Sequence, residues 1–212
     1  MAIASNIRKI KAEIPNNVTI VGVTKYVDVT VAEQLCQNGI MHLGENRVDV
    51  LVEKYNSIKT KPVWHFIGTL QTRKVKDVID KIDYLHSLDR LTLADEIQKR
   101  SDKRVKCFVQ VNVTGEVSKH GLRPDKVIDF VSQLANHDKI EVVGLMTMAL
   151  DTADDLIVRS CFSVLKRLQR EIQERVLKHA PCTELSMGMS NDYKIAVEEG
   201  ATFVRLGRCL IE

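Results

Sequence analysis

Short apolar runs alternate with longer amphipathic segments along the chain. Residues 18–25, VTIVGVTK, form a run of β-branched and small residues that predicts a fully buried strand. Seven further runs are typical of buried strands: 40–43, 63–67, 82–86, 105–111, 140–145, 181–185 and 202–206. Residues 2–13 and the segments between the runs have helical spacing. The pattern therefore predicts eight strands, each followed by a helix or helix-like segment, after one leading helix.

Eight strand–helix alternations without a linker or repeat are typical of an α/β protein with a (β/α)₈ TIM barrel fold. We expect one domain over residues 1–212. Too few residues follow the eighth strand for a full helix, so we expect the N-terminal helix to cover that position. A doubly wound open sheet is the alternative, but no GxGxxG motif follows the first strand.

Composition narrows the function classes. Apolar residues make up 44% and charged residues 28% of the 212 positions, and the net charge of +3 comes from interspersed charges rather than a basic stripe. Neither a nucleic acid nor a membrane is expected as a partner. The N-terminal segment carries Arg8, Lys9 and Lys11 and lacks the pattern of a secretion signal. The five cysteines contain no CxxC pair, which predicts reduced thiols in a cytoplasmic protein.

Polar residues stand where the predicted strands end, and barrel active sites form at that end. Lys25 closes the first strand. Its ammonium group could simply extend into solvent along an apolar stem. Alternatively, partial burial could lower its pKa and leave a neutral amine that attacks an aldehyde to form a Schiff base.

The segment SMGMSN, residues 186–191, follows the seventh strand and leads into a predicted helix over 191–199 with Ser190 as its N-cap. Backbone amides there favour an anion, and Gly207 and Arg208 after the eighth strand offer more. A phosphate held by both loops would present a ring towards Lys25, and Arg205 would face a ring nitrogen and keep a pyridine unprotonated. The turn could also be a plain turn, and Arg205 could be a rim ion-pair residue.

His42, His65 and His86 fall on successive predicted strands, a pattern that raises the question of a metal site. No nearby Asp or Glu completes a ligand set in those strands, so we expect no metal and expect His42 and His86 to pack within the barrel wall. Lys119, in the polar loop 114–122, is expected to be a solvated charge, although such a loop could also serve as a lid.

Eight motifs match one family in collinear order: VGVTK, HLGEN, HFIGTLQ, HSLDR, VNVTGEVSKHG, GLMTM, LSMGMSND and VRLG. Together they resemble the pyridoxal phosphate homeostasis proteins of the YggS/PROSC type over nearly the whole chain. That family is similar to the N-terminal barrel domain of alanine racemase. The resemblance implies a barrel of that type that binds pyridoxal 5'-phosphate (PLP).

The resemblance also implies roles for individual residues. Lys25 would form the Schiff base, Asn46 would lie beside the ring, and Arg205 would face the pyridine nitrogen. The phosphate would be bound by three residues: Ser190, Gly207 and Arg208. Two residues would line the pocket: Ser186 and Met187.

The family's known role implies a non-catalytic protein of intracellular PLP homeostasis, a carrier whose recipients are PLP-dependent apoenzymes, and we expect a monomer. A weak PLP-dependent amino-acid racemase is the alternative. Racemisation needs a second acid/base group opposite the lysine, and only Tyr26 and Tyr193 are expected near the mouth. A third possibility is a colourless phosphate-binding isomerase in which Lys25 is an electrostatic group.

Overall fold

A computed structural model describes residues 2–116 and 119–212. Within these residues eight parallel strands close into a barrel in sequence order. The strands are β1 Thr19–Val23, β2 His42–Glu45, β3 Val63–Phe66, β4 Tyr84–Leu88, β5 Val105–Gln110, β6 Ile140–Met146, β7 Glu184–Ser186 and β8 Phe203–Leu206. The barrel class is confirmed. Residues 117 and 118 of the predicted loop 114–122 lie outside the described residues.

Helices surround the barrel in the expected alternation. They are α1 Ala2–Glu13, α2 Val29–Gln37, α3 Val48–Ser57, α4 Val75–Val78, α5 Leu91–Arg100, α6 Val127–Gln133, α7 Asp155–Gln173, α8 Tyr193–Glu198 and α9 Arg208–Ile211. The Asp154 side chain caps α7, the longest helix, by accepting a 2.9 Å hydrogen bond from Leu156 N–H. Among the helices of the described residues, none has both the length and the apolar character needed to cross a membrane.

The core has two layers, because each strand presents alternate side chains to opposite faces. The outer layer lies between the strands and the helices and holds most of the aliphatic residues. The inner layer fills the barrel and is largely aromatic. Its apolar members are Val21, Phe108, Val143, Met146 and Phe203, with Tyr84 packed against them. The barrel interior is therefore a packed core, and a site can form only at its ends.

The N-terminal helix covers the position after β8, as expected. A single-turn helix, α9, follows β8, and α1 packs against it. The Asn6 side chain donates to the Leu210 carbonyl over 3.4 Å, and Ile7 and Ile10 are buried. The Tyr193 hydroxyl donates a hydrogen bond to Glu13, which attaches α8 to the same helix. The two ends of the chain thus close one wall together.

Candidate functional site

Lys25 lies in a turn just beyond β1. The strand ends at Val23, two residues earlier than its composition predicts, because the chain turns between Thr24 and Val27 through a 3.1 Å bond from Val27 N–H to the Thr24 carbonyl. Lys25 itself is half-buried. Its Nζ atom lies 4.7 Å from the centroid of the Tyr26 ring, and Tyr26 is 87% exposed. The amine therefore stands at the C-terminal rim of the barrel beside an open aromatic face.

A buried ion pair holds the residue before Lys25. The Thr24 hydroxyl donates to Glu45 Oε1 over 2.5 Å, and Lys54 Nζ donates to both the Thr24 carbonyl and Glu45 Oε1 over 2.6 Å each. All three residues are at most 2% exposed. Glu45 Oε2 is buried and has no hydrogen-bond partner among the described residues. Because the hydroxyl and the carbonyl of Thr24 are both hydrogen-bonded, to Glu45 of β2 and Lys54 of α3, the backbone next to Lys25 is held in place.

Asn46 follows β2 on the same rim and is half-buried. Gly68, after β3, packs directly on its backbone: a Cβ added to Gly68 would lie 2.3 Å from the Asn46 carbonyl oxygen. No side chain fits at that distance, so glycine is required there. The close approach fixes the backbone of Asn46 against the loop that follows β3.

The loop after β7 differs from its prediction in one respect. Helix α8 begins at Tyr193 with Asp192 as its N-cap residue, so Ser190 is not the N-cap and the helix does not start at 191. Asp192 Oδ1 instead accepts a 2.5 Å hydrogen bond from Met189 N–H. Gly188, at φ 94°, makes the turn and accepts a 2.9 Å bond from Arg205 N–H. The loop is thus closed by its own aspartate, and Asp192 was available from the sequence as a common N-cap residue.

Ser186 and Met187 separate at the end of β7. The Ser186 side chain is fully buried and bonds to Arg205. Met187 is also fully buried, but its side chain packs in the outer core layer, and its N–H donates to the Phe203 carbonyl over 3.1 Å. Only the backbone of Met187 can therefore face a ligand at the rim.

The loops after β7 and β8 meet each other and the end of β1. Cys209 N–H donates to Ser190 Oγ over 3.5 Å. Gly207 lies against the end of β1, since a Cβ added to it would be 3.4 Å from the Val23 carbonyl oxygen. Arg208 begins α9 and is exposed. Ser190, Gly207 and the strand that leads to Lys25 therefore share one side of the rim.

Arg205 is the buried cation of the site, with 5% of its surface exposed. One guanidinium nitrogen donates to Ser186 Oγ over 2.7 Å and another to the Thr147 carbonyl over 2.9 Å. Burial lowers its pKa to about 10, while the nearby charge of Asp192 acts in the opposite direction. The group is consequently charged at neutral pH, and its hydrogen bonds go to neutral acceptors. The alternative that Arg205 forms an ion pair at the rim is therefore wrong.

His42, His65 and His86 have their side chains inside the barrel, in contact with Phe203. His65, which stands near a predicted strand end, is fully buried rather than part of the rim. Within the described residues, no group of three or more His, Cys, Asp or Glu side chains could hold a metal ion.

These features suit a phosphorylated pyridine aldehyde. Near the C-terminal end of the barrel, the described residues include the Lys25 amine, the backbone N–H groups of the loops after β7 and β8, and the buried Arg205 guanidinium. Groups of these kinds can bind an aldehyde, a phosphate and an acceptor nitrogen. The Arg205 guanidinium has five N–H donors, and two are used by Ser186 and Thr147. A cation at this position matches an acceptor nitrogen and disfavours a protonated one.

Comparison with known proteins points the same way. The family model of the alanine racemase N-terminal domain matches residues 1–211. A pyridoxal phosphate homeostasis protein of Aquifex aeolicus is 40% identical over 201 residues, which cover 92% of this chain and 86% of the relative. The chain belongs to the pyridoxal phosphate homeostasis protein family. This assignment confirms the resemblance that the eight motifs indicate.

Solved structures of other proteins share this fold. PipY of Synechococcus elongatus without PLP superposes with a TM-score of 0.93 at 27% identity, covering 99% of this chain and 100% of PipY. PipY with PLP bound gives a TM-score of 0.91 at 26% identity with the same coverage. An alanine racemase of Clostridium difficile gives 0.85 at 16% identity and is covered over 56% of its length, which shows a common barrel alone.

Proposed function

We propose that this chain binds PLP at the C-terminal rim of its barrel, holds it as a Schiff base on Lys25, and serves in intracellular PLP homeostasis. Curated relatives carry the name of that role, and the related PipY has a structure with PLP bound. The rim also offers each group that the cofactor needs. We also propose that residues 1–212 form a single domain, because the described strands close into one barrel.

The contact between Gly207 and the end of β1 is the observation that carries the proposal. It brings the loop after β8 to within two residues of Lys25, and the bond from Cys209 N–H to Ser190 Oγ adds the loop after β7. We assign the phosphate to Ser190, Gly207 and Arg208. A small phosphorylated ring held there lies within reach of an amine on the neighbouring strand.

The remaining residues act on the ring. When bound, PLP supplies an aldehyde for the Lys25 amine and an electron-withdrawing ring. Arg205, charged and buried, would donate an N–H to the ring nitrogen and would keep a proton away from it. Asn46 would lie beside the ring, and Ser186 and the backbone of Met187 would line the pocket. A ring without that proton withdraws electrons less strongly, which favours holding the cofactor over carbanion chemistry.

The choice of a holding role over racemisation rests on the tyrosines expected near the mouth, which are the candidates for a second acid/base group opposite Lys25. The Tyr193 hydroxyl donates to Glu13 on α1, and burial together with that bond raises its pKa. The Tyr193 hydroxyl is therefore engaged by Glu13, and Tyr26 lies on the same side as Lys25, next to it in the chain. A racemase would exchange the α-proton of an amino acid in D₂O and lose this exchange in both Lys25→Ala and Tyr26→Phe. We expect no exchange at enzymatic rates.

We further propose a cytoplasmic monomer that yields PLP to PLP-dependent apoenzymes. Lys25 is half-buried on an open rim, so a recipient could reach the cofactor without unfolding the barrel. Sedimentation equilibrium tests the monomer. Transfer is tested by mixing the loaded protein with a PLP-free aminotransferase and measuring recovered activity against an equal concentration of free PLP.

Visible absorbance of the purified protein tests the proposed binding. The wild-type protein, mixed with PLP and dialysed, should be yellow and show the visible absorption band of a lysine Schiff base, and Lys25→Ala should lack this band. Lys106→Ala is the matched control, because Lys106 also lies over a tyrosine ring, 5.2 Å from the Tyr84 centroid. A colourless wild-type protein would favour the isomerase alternative, and a coloured Lys25→Ala would move the linkage to another lysine.

A further inference from the structure

A row of hydrogen-bonded side chains runs through the barrel interior and ends at Arg205. His42 Nδ1 lies 2.9 Å from His65 Nε2, and His65 Nδ1 lies 2.8 Å from His86 Nε2. His86 Nδ1 lies 2.9 Å from Ser186 Oγ, which also accepts from Arg205. The three histidines come from β2, β3 and β4, and Ser186 comes from β7. We call His42, His65 and His86 the histidine column.

Each imidazole of the column is neutral. Burial lowers the pKa of His65 and of His86 well below the ordinary value, and the Arg205 charge and the repulsion between neighbouring imidazoles on protonation act in the same direction. Burial lowers the pKa of His42 as well. A neutral imidazole has one N–H donor and one acceptor nitrogen. Three such rings in a row must therefore all donate in the same direction.

Arg205 fixes that direction. A guanidinium can only donate, so Ser186 Oγ accepts from it, and the serine hydroxyl proton is free to go to His86 Nδ1. His86 must then carry its proton on Nε2 and donate to His65, which donates in turn to His42. The opposite direction would leave the Ser186 hydroxyl proton without an acceptor among the described contacts. All three rings are consequently Nε2–H tautomers.

Aromatic packing holds the rings in place. His65 stacks on Tyr84 with centroids 4.5 Å apart and an interplanar angle of 3°. His86 stacks on Phe108 at 4.4 Å, and Phe203 contacts both histidines. Rotation of one ring would require repacking of the barrel interior. The column is thus rigid as well as oriented.

The charges around the column lie at its two ends. Asp83 and Lys106 act on His42 with opposite effects on its pKa. Arg205, whose pKa the nearby charge of Asp192 raises, stands at the other end. Between them the column contacts the neutral rings of Tyr84, Phe108 and Phe203. The acceptor side of every ring faces Arg205, so aligned dipoles stabilise the guanidinium charge in place of a carboxylate.

We propose that His42, His65 and His86 are positioning residues that orient Ser186 as an acceptor and thereby fix the Arg205 guanidinium towards the cofactor ring. This inference rests on the proposed function for the identity of the ligand. The direction of the hydrogen bonds in the histidine column is a property of the cofactor-free chain. A carboxylate partner would fix Arg205 equally well but would neutralise its charge. The column keeps the guanidinium both fixed and fully charged.

Long-range ¹H–¹⁵N NMR of the cofactor-free protein with ¹⁵N-labelled histidine tests the orientation. At neutral pH, His42, His65 and His86 should each show a protonated Nε2 and an unprotonated Nδ1. In Ser186→Ala the link to Arg205 is lost, so His86 and His65 should become mixtures of both tautomers. A protonated Nδ1 in any wild-type ring would overturn the proposal, as would wild-type tautomers retained in Ser186→Ala.

PLP binding tests the consequence for the site. His65→Phe keeps a ring against Tyr84 but interrupts the column, and we expect its Kd for PLP to rise about ten-fold or more, as for a lost hydrogen bond to a charged group. His65→Gln, whose side-chain amide can both donate and accept a hydrogen bond, should recover part of this loss. His179→Phe is the matched control, since His179 bonds the Val131 carbonyl outside the barrel.

An unchanged Kd in His65→Phe would overturn the inference. A wild-type protein that does not bind PLP would instead overturn the proposed function, and the NMR tautomers decide the column orientation in either case.

Discussion

Acid should destabilise this protein well above the pH at which its carboxyl groups titrate. His65 and His86 are fully buried, and burial lowers their pKa far below the ordinary 6.5. In the unfolded chain both take up protons as the pH falls below 6.5, and in the folded chain they do not. The stability that their neutral forms contribute is thus present above pH 6.5 and is lost as the pH falls below it.

The magnitude follows from linkage. Each histidine that stays neutral in the folded state and titrates normally when unfolded costs about 1.4 kcal/mol per pH unit below 6.5. Between about pH 7.5 and about pH 5.5 the two residues together remove about 3 kcal/mol from the free energy of unfolding. His42, whose pKa is also lowered, adds to this loss. A loss of about 3 kcal/mol is a large part of the roughly 5–15 kcal/mol typical of a domain.

Urea unfolding of the cofactor-free protein at several pH values in this window measures the effect. Most carboxyl groups stay ionised in this pH window. Asp192, whose pKa burial raises, makes the folded state more stable as the pH falls and so opposes the effect of the histidines. His65→Phe removes one titrating group, so its unfolding should take up about 0.9 fewer protons at about pH 5.5 than that of the wild type. A free energy of unfolding that does not change with pH, or an equal slope in His65→Phe, would refute the reasoning.

Two further substitutions test the supports of the site. Gly188→Ala places a Cβ 2.6 Å from the Ala196 Cβ, whereas the nearest neighbour of the new Cβ in Gly200→Ala is 3.5 Å away; both glycines have φ 94°. Urea unfolding should show both variants destabilised by about 1 kcal/mol because of the backbone conformation. Gly188→Ala should lose about 1–3 kcal/mol more because of the close contact. Equal losses would show that the contact with Ala196 does not matter. Lys54→Met leaves Glu45 buried and unpaired and should cost about 3–5 kcal/mol, most of which the double variant Lys54→Met/Glu45→Gln recovers. A double variant no more stable than Lys54→Met alone would argue against an uncompensated charge as the cause.

The sequence predicts the barrel because its signals are local. Apolar runs and amphipathic segments alternate along the chain, and each strand or helix depends mainly on its own residues. Boundaries depend on contacts from elsewhere: β1 stops at Val23 because Thr24 is drawn into a turn and onto Glu45 and Lys54. Asp192 rather than Ser190 precedes α8, although both residue types cap helices, so composition alone does not decide between them.

The sequence predicts the site as a set of strand ends, but it does not predict the hydrogen-bonded network inside the barrel. Parallel strands in a barrel bring their C-terminal ends together by topology, so Lys25, Ser190, Arg205 and Gly207 could be named from the sequence. Which interior side chains meet depends on the stagger between strands. The contact of His86 with Ser186 joins residues 100 positions apart, and no periodicity in the sequence indicates it.

Reduction with borohydride tests the central claim most directly. The protein is mixed with PLP, treated with borohydride, digested, and its peptides are weighed by mass spectrometry. The account predicts that a pyridoxyl group is found on the peptide that contains Lys25, at close to one per chain, and that free phosphate at high concentration slows its appearance. A pyridoxyl group spread over surface lysines, with the Lys25 peptide unmodified, would contradict it.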